Sequence, residues 1–218
     1  MRSENGMDDI IGKLAEDRSV FHMEADFQLA LFRKIVKEKC ADDICLEYAF
    51  KKDTLKNATE DIHVDIWVIN MNKMNVAIEL KYKTTDISQL TFDSKTGEVF
   101  RLKKQRGHTY SRYGFWCDVK RLQDVVRNCE NCIGYALFLT NDKAYWGNGG
   151  PKTADDDFED DGFGIYDGRK MRRNQKLKGD IKGENEVVEL ECAYELKWKP
   201  YGKKSDFRYL LLKIPSEL

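Results

Sequence analysis

Two tandem runs constrain this chain more than any other feature: HVDIWVI (63–69) and NVAIELKYK (75–83), separated by the turn-like segment NMNKM. In both, apolar side chains recur at every second position, the period of a strand with one buried face. The pattern predicts a β-hairpin. A turn centred on Asn72 sets Asp65 directly across from Glu79, with Cβ atoms about 5 Å apart. Alternation then gathers Val64, Ile66 and Val68 with Val76, Ile78 and Leu80 on one apolar face that must lie on a core. Asp65, Glu79 and Lys81 share the other face.

Two carboxylates facing each other repel unless a proton, a basic group or a cation lies between them. A divalent metal is the economical answer. Mg²⁺ prefers oxygen ligands, usually takes one or two protein carboxylates, and keeps positions for water and phosphate. Lys81, two residues beyond Glu79, could orient an attacking water or stabilise charge building on a phosphate. Glu24 extends the argument from a predicted helix in which Phe27, Leu31 and Ile35 recur at i, i+4 and i+8. It lies three residues before Phe27, in the buried stripe, where an isolated carboxylate needs a partner. A helix packed near the hairpin would bring Glu24 to Asp65 and Glu79. The competing reading is a cross-strand ion-pair cluster on an exposed face, with neither metal nor chemistry.

The rest of the chain reads as alternating helices and strands. Asp17 and Ser19 are the expected caps of the first helix, which follows a polar N-terminus. Residues 44–50 look like a strand. A second amphipathic helix carries Phe115, Val119, Leu122 and Val126, and IGYALFLT (133–140) has the continuous apolar character of a strand covered on both faces. The segment from about 141 to 185 is polar and is expected to be a mobile loop, with strands following over 186–218. With 41% hydrophobic residues and 37 basic against 38 acidic ones, net −1, disorder and indiscriminate coating of nucleic acid are both excluded. No run is long and apolar enough for a membrane helix or a signal peptide, so the expected location is cytoplasmic with no membrane partner. Six cysteines then read as reduced thiols, and Cys129-x-x-Cys132 lacks the second ligand pair of a zinc site.

Glu24 on an early helix, Asp65 in HVDIWV and Glu79-Leu80-Lys81 in AIELKYK together resemble the PD-(D/E)XK nuclease superfamily, the restriction-endonuclease-like phosphodiesterases. The resemblance covers about residues 20 to 130 in order and spacing, with Val64 standing where the motif name has Pro. It implies an α/β fold with a restriction-endonuclease-like core, a central mixed β-sheet flanked by helices, in a single domain over 1–218 whose catalytic core spans about 20–140. It also implies an Mg²⁺-dependent (or Mn²⁺-dependent) phosphodiesterase acting on DNA. Asp65 and Glu79 would be the metal ligands, Lys81 the water-orienting group and Glu24 an auxiliary acid. A second E-x-K, Glu195-Leu196-Lys197, has no Asp upstream at hairpin spacing and reads as a solvated strand face.

A nuclease must also hold phosphate. From Lys95 to Arg127 nine basic residues stand against three acidic ones, with Tyr110, Tyr113 and Trp116 interleaved. Lys103, Lys104, Gln105, Arg106 and Arg112 are the candidate nucleic-acid contacts, against the simpler reading of a solvated helix face. The later acidic run Asp155–Asp161 lacks the alternating ligands and central glycine of a calcium loop. A homodimer is compatible with cutting both strands of a duplex. The non-enzymatic alternative is a nucleic-acid-binding module that keeps this fold without turnover.

Overall fold

The computed structural model describes residues 6–39, 41–55, 60–71, 73–91, 98–147, 162–203 and 206–217. Two helices, α1 (Met7–Asp17) and α2 (Glu24–Glu38), precede strands β1 (Asp43–Phe50), β2 (Ile62–Met71) and β3 (Met74–Lys83). A short pair, β4 (Ile87–Thr91) and β5 (Val99–Leu102), leads to α3 (His108–Asn128) and β6 (Cys132–Thr140). The remainder is strands: β7 (Lys170–Met171), β8 (Lys176–Ile181), β9 (Glu184–Glu189), β10 (Tyr194–Glu195), β11 (Trp198–Pro200) and β12 (Arg208–Ile214). Six of them form one mixed sheet in the order β1-β2-β3-β6-β12-β11. Its neighbours are antiparallel except β3 and β6, which run parallel because α3 crosses between them. The fold is therefore α/β, with a mixed central sheet and three helices among the described residues.

Each face of the sheet buries its own apolar cluster. On one side Ile66, Val68, Val76, Ile78 and Leu80 meet Ile10 and Leu14 of α1 and Phe27, Leu31 and Ile35 of α2. On the other, Trp67, Ala77 and Phe138 meet Phe115, Val119, Leu122 and Val126 of α3. The helical spacings of α2 and α3 are thus the ones the sheet buries. Close approach of α3 to the sheet depends on Gly134, where an added Cβ would lie 3.1 Å from Ile214 and 3.2 Å from Leu122.

The expected hairpin forms in the expected register, with Ile66 opposite Ile78, Trp67 opposite Ala77 and Val68 opposite Val76. One member changes face. Val64 packs in the cluster beside α3, not with Ile66 and Val68. Opposite this point, Glu47 of β1, between the pairs Leu46–Ile66 and Tyr48–Val64, holds a left-handed backbone with φ 50°.

Three other expectations are corrected. The N-terminus is a helix, α1, whose buried Met7, Ile10, Ile11 and Leu14 follow the i, i+3, i+4, i+7 spacing. Asp17 closes α1 and does not cap α2, which begins after Met23 without a side-chain cap. Residues 162–185, expected as part of a polar loop, hold β7, β8 and the start of β9. The β8–β9 turn uses Lys182 (φ 60°) and Gly183 (φ 85°), the backbone that a tight two-residue hairpin demands. The acidic run 155–161 lies outside the described residues. No helix among the described residues is long and apolar enough to cross a membrane.

Candidate active site

The β2–β3 ladder starts at Ile66 and Ile78, and beyond it carboxylates bond the β3 backbone. Leu80 donates its N–H to Asp65 Oδ2 at 2.6 Å, and Tyr82 donates its N–H to Glu24 Oε2 at 2.6 Å. Both acids therefore fasten to the same edge of β3, Asp65 from the neighbouring strand and Glu24 from the first turn of α2. Gln28, one turn along α2, ties the helix to the strand by donating to the Asp65 carbonyl at 2.8 Å. The same amide donates to Glu47 Oε1 at 2.6 Å. The sequence expectation that Glu24 sits near the hairpin is met in this respect.

Glu79 and Lys81 point from β3 towards α3, where they meet two residues that the sequence reading counted only as surface charge. Lys81 Nζ lies 2.7 Å from Asp118 Oδ2, and Arg121 Nη1 lies 3.3 Å from Glu79 Oε1. Arg121 also bonds Asp118 Oδ1. Glu79 is 3% exposed and Asp118 2%. Glu79 Oε1 has no aligned hydrogen bond, with Arg121 3.3 Å away, whereas Asp118 Oδ2 is held by the Lys81 ammonium. Asp118 had a sequence signal: it lies three residues after Phe115 and four before Leu122, inside the buried stripe of α3.

Four carboxylates (Glu24, Asp65, Glu79, Asp118) thus feel one another around two cations, Lys81 and Arg121. Their protonation reflects this. Burial pushes the Asp65 carboxyl up to about 6, against the Leu80 N–H and the Lys81 charge, while Asp118 and Glu24 add to the push. Burial, then the Asp118 charge, drives Glu79 well above the ordinary carboxylate range. Asp118 also rises, by burial first, with Lys81 and Arg121 opposing. Burial works against the charge on Lys81, but Asp118, then Glu24 and Glu79, outweigh it and raise its value.

Among the described residues no three His, Cys, Asp or Glu side chains are gathered as a metal-holding group. All four acids offer oxygen, the donor that a hard divalent cation prefers, and Glu79 carries a buried oxygen without an aligned hydrogen bond, 3.3 Å from Arg121.

The basic region divides into exposed and engaged residues. Lys103, Lys104 and Arg106 have exposed side chains. Gln105 is half-buried, donates its N–H to the Thr84 carbonyl at 2.9 Å, and keeps Oε1 buried without a partner. Arg112 is held in the fold, donating to the Ala144 carbonyl at 2.8 Å beside the Tyr145 ring. Lys120 and Arg127 are neutralised by Asp124 and Glu191. Trp116 is fully buried with its Nε1–H on the Phe163 carbonyl, so it belongs to the core. Tyr110 stays exposed near Lys182, and Lys95 lies outside the described residues. In the second E-x-K, Glu195 pairs with Lys197 at 2.8 Å, both exposed. Comparison with family models, curated proteins and solved structures returns no match to this chain.

Proposed function

We propose that the chain is an Mg²⁺- or Mn²⁺-dependent phosphodiesterase of the PD-(D/E)XK, restriction-endonuclease-like kind, hydrolysing DNA at the end of the β2–β3 hairpin. One observation carries the reading: Glu79 and Asp118 are buried and Asp65 half-buried around two cations, Lys81 and Arg121, and Glu79 Oε1 has no aligned hydrogen bond, with Arg121 3.3 Å away. Burying like charges opposes folding, and such arrangements concentrate where a fold has a chemical task. The mixed sheet flanked by helices agrees with the core that the resemblance implies.

Asp65 and Glu79 would hold the cation, with Glu24 as the auxiliary acid. Such an ion polarises a phosphoryl oxygen and lowers the pKa of a bound water. The protein's own residues supply the rest. Asp65 and Glu24 are aimed by the Leu80 and Tyr82 N–H groups, so their positions follow the strand backbone. Lys81 is kept protonated by Asp118, which suits it to orient a water or to offset charge developing on phosphate, and not to act as a base. Exposed Lys103, Lys104 and Arg106, at the approach to α3, would contact the backbone of the nucleic acid.

The second reading, a nucleic-acid-binding module without turnover, is favoured by the lack of a three-ligand metal group among the described residues. Incubating the purified protein with single-stranded, duplex and branched DNA, with Mg²⁺ or Mn²⁺ present, separates the two. Cleavage that vanishes in Lys81→Ala supports the enzyme; binding without cleavage of any substrate supports the module.

A further inference from the structure

We propose, resting on the nuclease reading, that the outer stripe of α3 seats a single strand of DNA, with an unpaired base stacked on Tyr110 and a phosphate held by Lys182. Tyr110, Gly114, Cys117 and Arg121 recur at i, i+4, i+7 and i+11, so they share one face of the helix, away from the buried Phe115, Val119, Leu122 and Val126. From Tyr110 to Arg121 this stripe runs ~16 Å. The β8–β9 hairpin flanks one side of it, where Tyr113 donates its hydroxyl to Glu186 Oε2 at 2.9 Å. The candidate active site flanks the other, where Lys81 meets Asp118 at 2.7 Å and Arg121 lies 3.3 Å from Glu79. A strand laid along the stripe thus runs from the first turn of α3 to Glu79 and Lys81.

Three features of the stripe suit that occupant. Tyr110 is 45% exposed, and Lys182 Nζ lies 5.4 Å from the centroid of its ring. Among the described residues Lys182 forms no ion pair, while neighbouring Asp180 accepts the Gly183 N–H at 2.7 Å. An exposed aromatic face beside a cation offers stacking to a base and charge to its phosphate. Gly114 is the second feature. It sits inside a 21-residue helix, where glycine is unfavourable relative to alanine, and packing does not demand it. Apart from its own helix, an added Cβ would meet only Lys81 Cε, at 3.7 Å, an ordinary contact. The missing side chain leaves the stripe open beside the Lys81 side chain, which is 22% exposed. Charge is the third. Exposed Arg106 precedes the first turn, Lys182 stands beside it, and Arg121, 37% exposed, lies at the far end. In a duplex each base face is covered by its neighbours in the stack, so Tyr110 suits an unpaired base.

The test is fluorescence anisotropy of a labelled oligothymidylate, single-stranded or annealed to oligoadenylate, in EDTA so that no cleavage intervenes. Wild type should bind the single strand more tightly than the duplex. Tyr110→Ala should weaken single-strand binding about tenfold, the scale of one lost base stack, whereas Tyr110→Phe keeps the ring and should stay within about twofold of wild type. Lys182→Gln should lower the slope of log affinity against log salt by about 0.7, the share of one phosphate contact on a single strand. Gly114→Leu should fold, by far-ultraviolet circular dichroism, and bind the single strand about tenfold more weakly or worse. Tyr110→Ala within about twofold of wild type, or a duplex bound at least as tightly as the single strand, overturns the inference and leaves the nuclease reading standing. A wild type that binds neither form overturns it too, and the nuclease reading falls with it only if cleavage with Mg²⁺ or Mn²⁺ is also absent. Tyr110-dependent binding without any cleavage keeps the inference and sinks the nuclease.

Discussion

Replacing Asp65 by Asn removes a buried charge and keeps an oxygen to accept the Leu80 N–H, which makes it a clean probe of how the site is built. The carboxyl rises from 3.8 to about 6 on folding, chiefly through burial. A folded-state value above the unfolded one means that this group's contribution to stability is complete below about 3.8 and lost as pH rises to about 6. At about two pH units, and 1.36 kcal/mol for each, the loss comes to ~3 kcal/mol. Without divalent metal, Asp65→Asn should therefore match wild type near pH 4 and exceed it by up to ~3 kcal/mol near pH 8. In a chain of this length that corresponds to a melting temperature higher by about 6–12 °C. Urea denaturation in EDTA at the two pH values measures it. A variant no more stable than wild type at the higher pH, or a difference that does not grow with pH, would refute the idea that burial penalises this charge. Mg²⁺ should reverse the order by stabilising wild type alone.

Lys81→Ala leaves Asp118 buried with Arg121 as its remaining close cation; it should abolish cleavage and cost ~3 kcal/mol in chemical denaturation, as breaking a buried pair does. Mg²⁺ affinity measured by calorimetry should rise with pH, first as Asp65 gives up its proton near 6 and further as Glu79, whose proton burial retains well above the ordinary carboxylate range, gives up its own. Gly179→Ala places a Cβ 2.6 Å from the Phe163 ring and should cost ~1–3 kcal/mol in urea while leaving Mg²⁺ affinity unchanged. Tyr82→Phe removes the hydroxyl that donates to the Phe21 carbonyl at 2.7 Å and should cost ~1–3 kcal/mol by the same assay.

Much of the central sheet could be read from residue order because strand periodicity is a local property. The hairpin register followed from two alternating runs and one turn, and α3 from four apolar positions. Where local patterns misled, a contact remote in sequence or an unusual backbone angle was the reason. Val64 joins the cluster beside α3, opposite a stretch of β1 where Glu47 adopts a left-handed conformation that no composition signals. The β8–β9 hairpin hides within a basic run because its turn is Lys182-Gly183, without the Asn-Gly or Asp-Gly that marks such turns. The site shows the same division. The register and helical phase single out Asp65, Glu79, Lys81 and Glu24, but Asp65 joins the site by accepting the Leu80 N–H and not through a ladder pair with Glu79. Asp118 was also within reach, since the phase argument applied to Glu24 places it in the buried stripe of α3. Arg121 was not: its bond to Asp118 is local, but its contact with Glu79 exists only once α3 lies across β3.

The most direct test of the central claim is the rate of DNA hydrolysis as Mg²⁺ is titrated, measured on wild type and Glu79→Gln side by side. The proposed site requires hydrolysis that rises and saturates with Mg²⁺ in wild type, stops with EDTA, and is lost in Glu79→Gln although that variant folds. Equal hydrolysis by the two proteins, or none by wild type at any Mg²⁺ concentration, would contradict it.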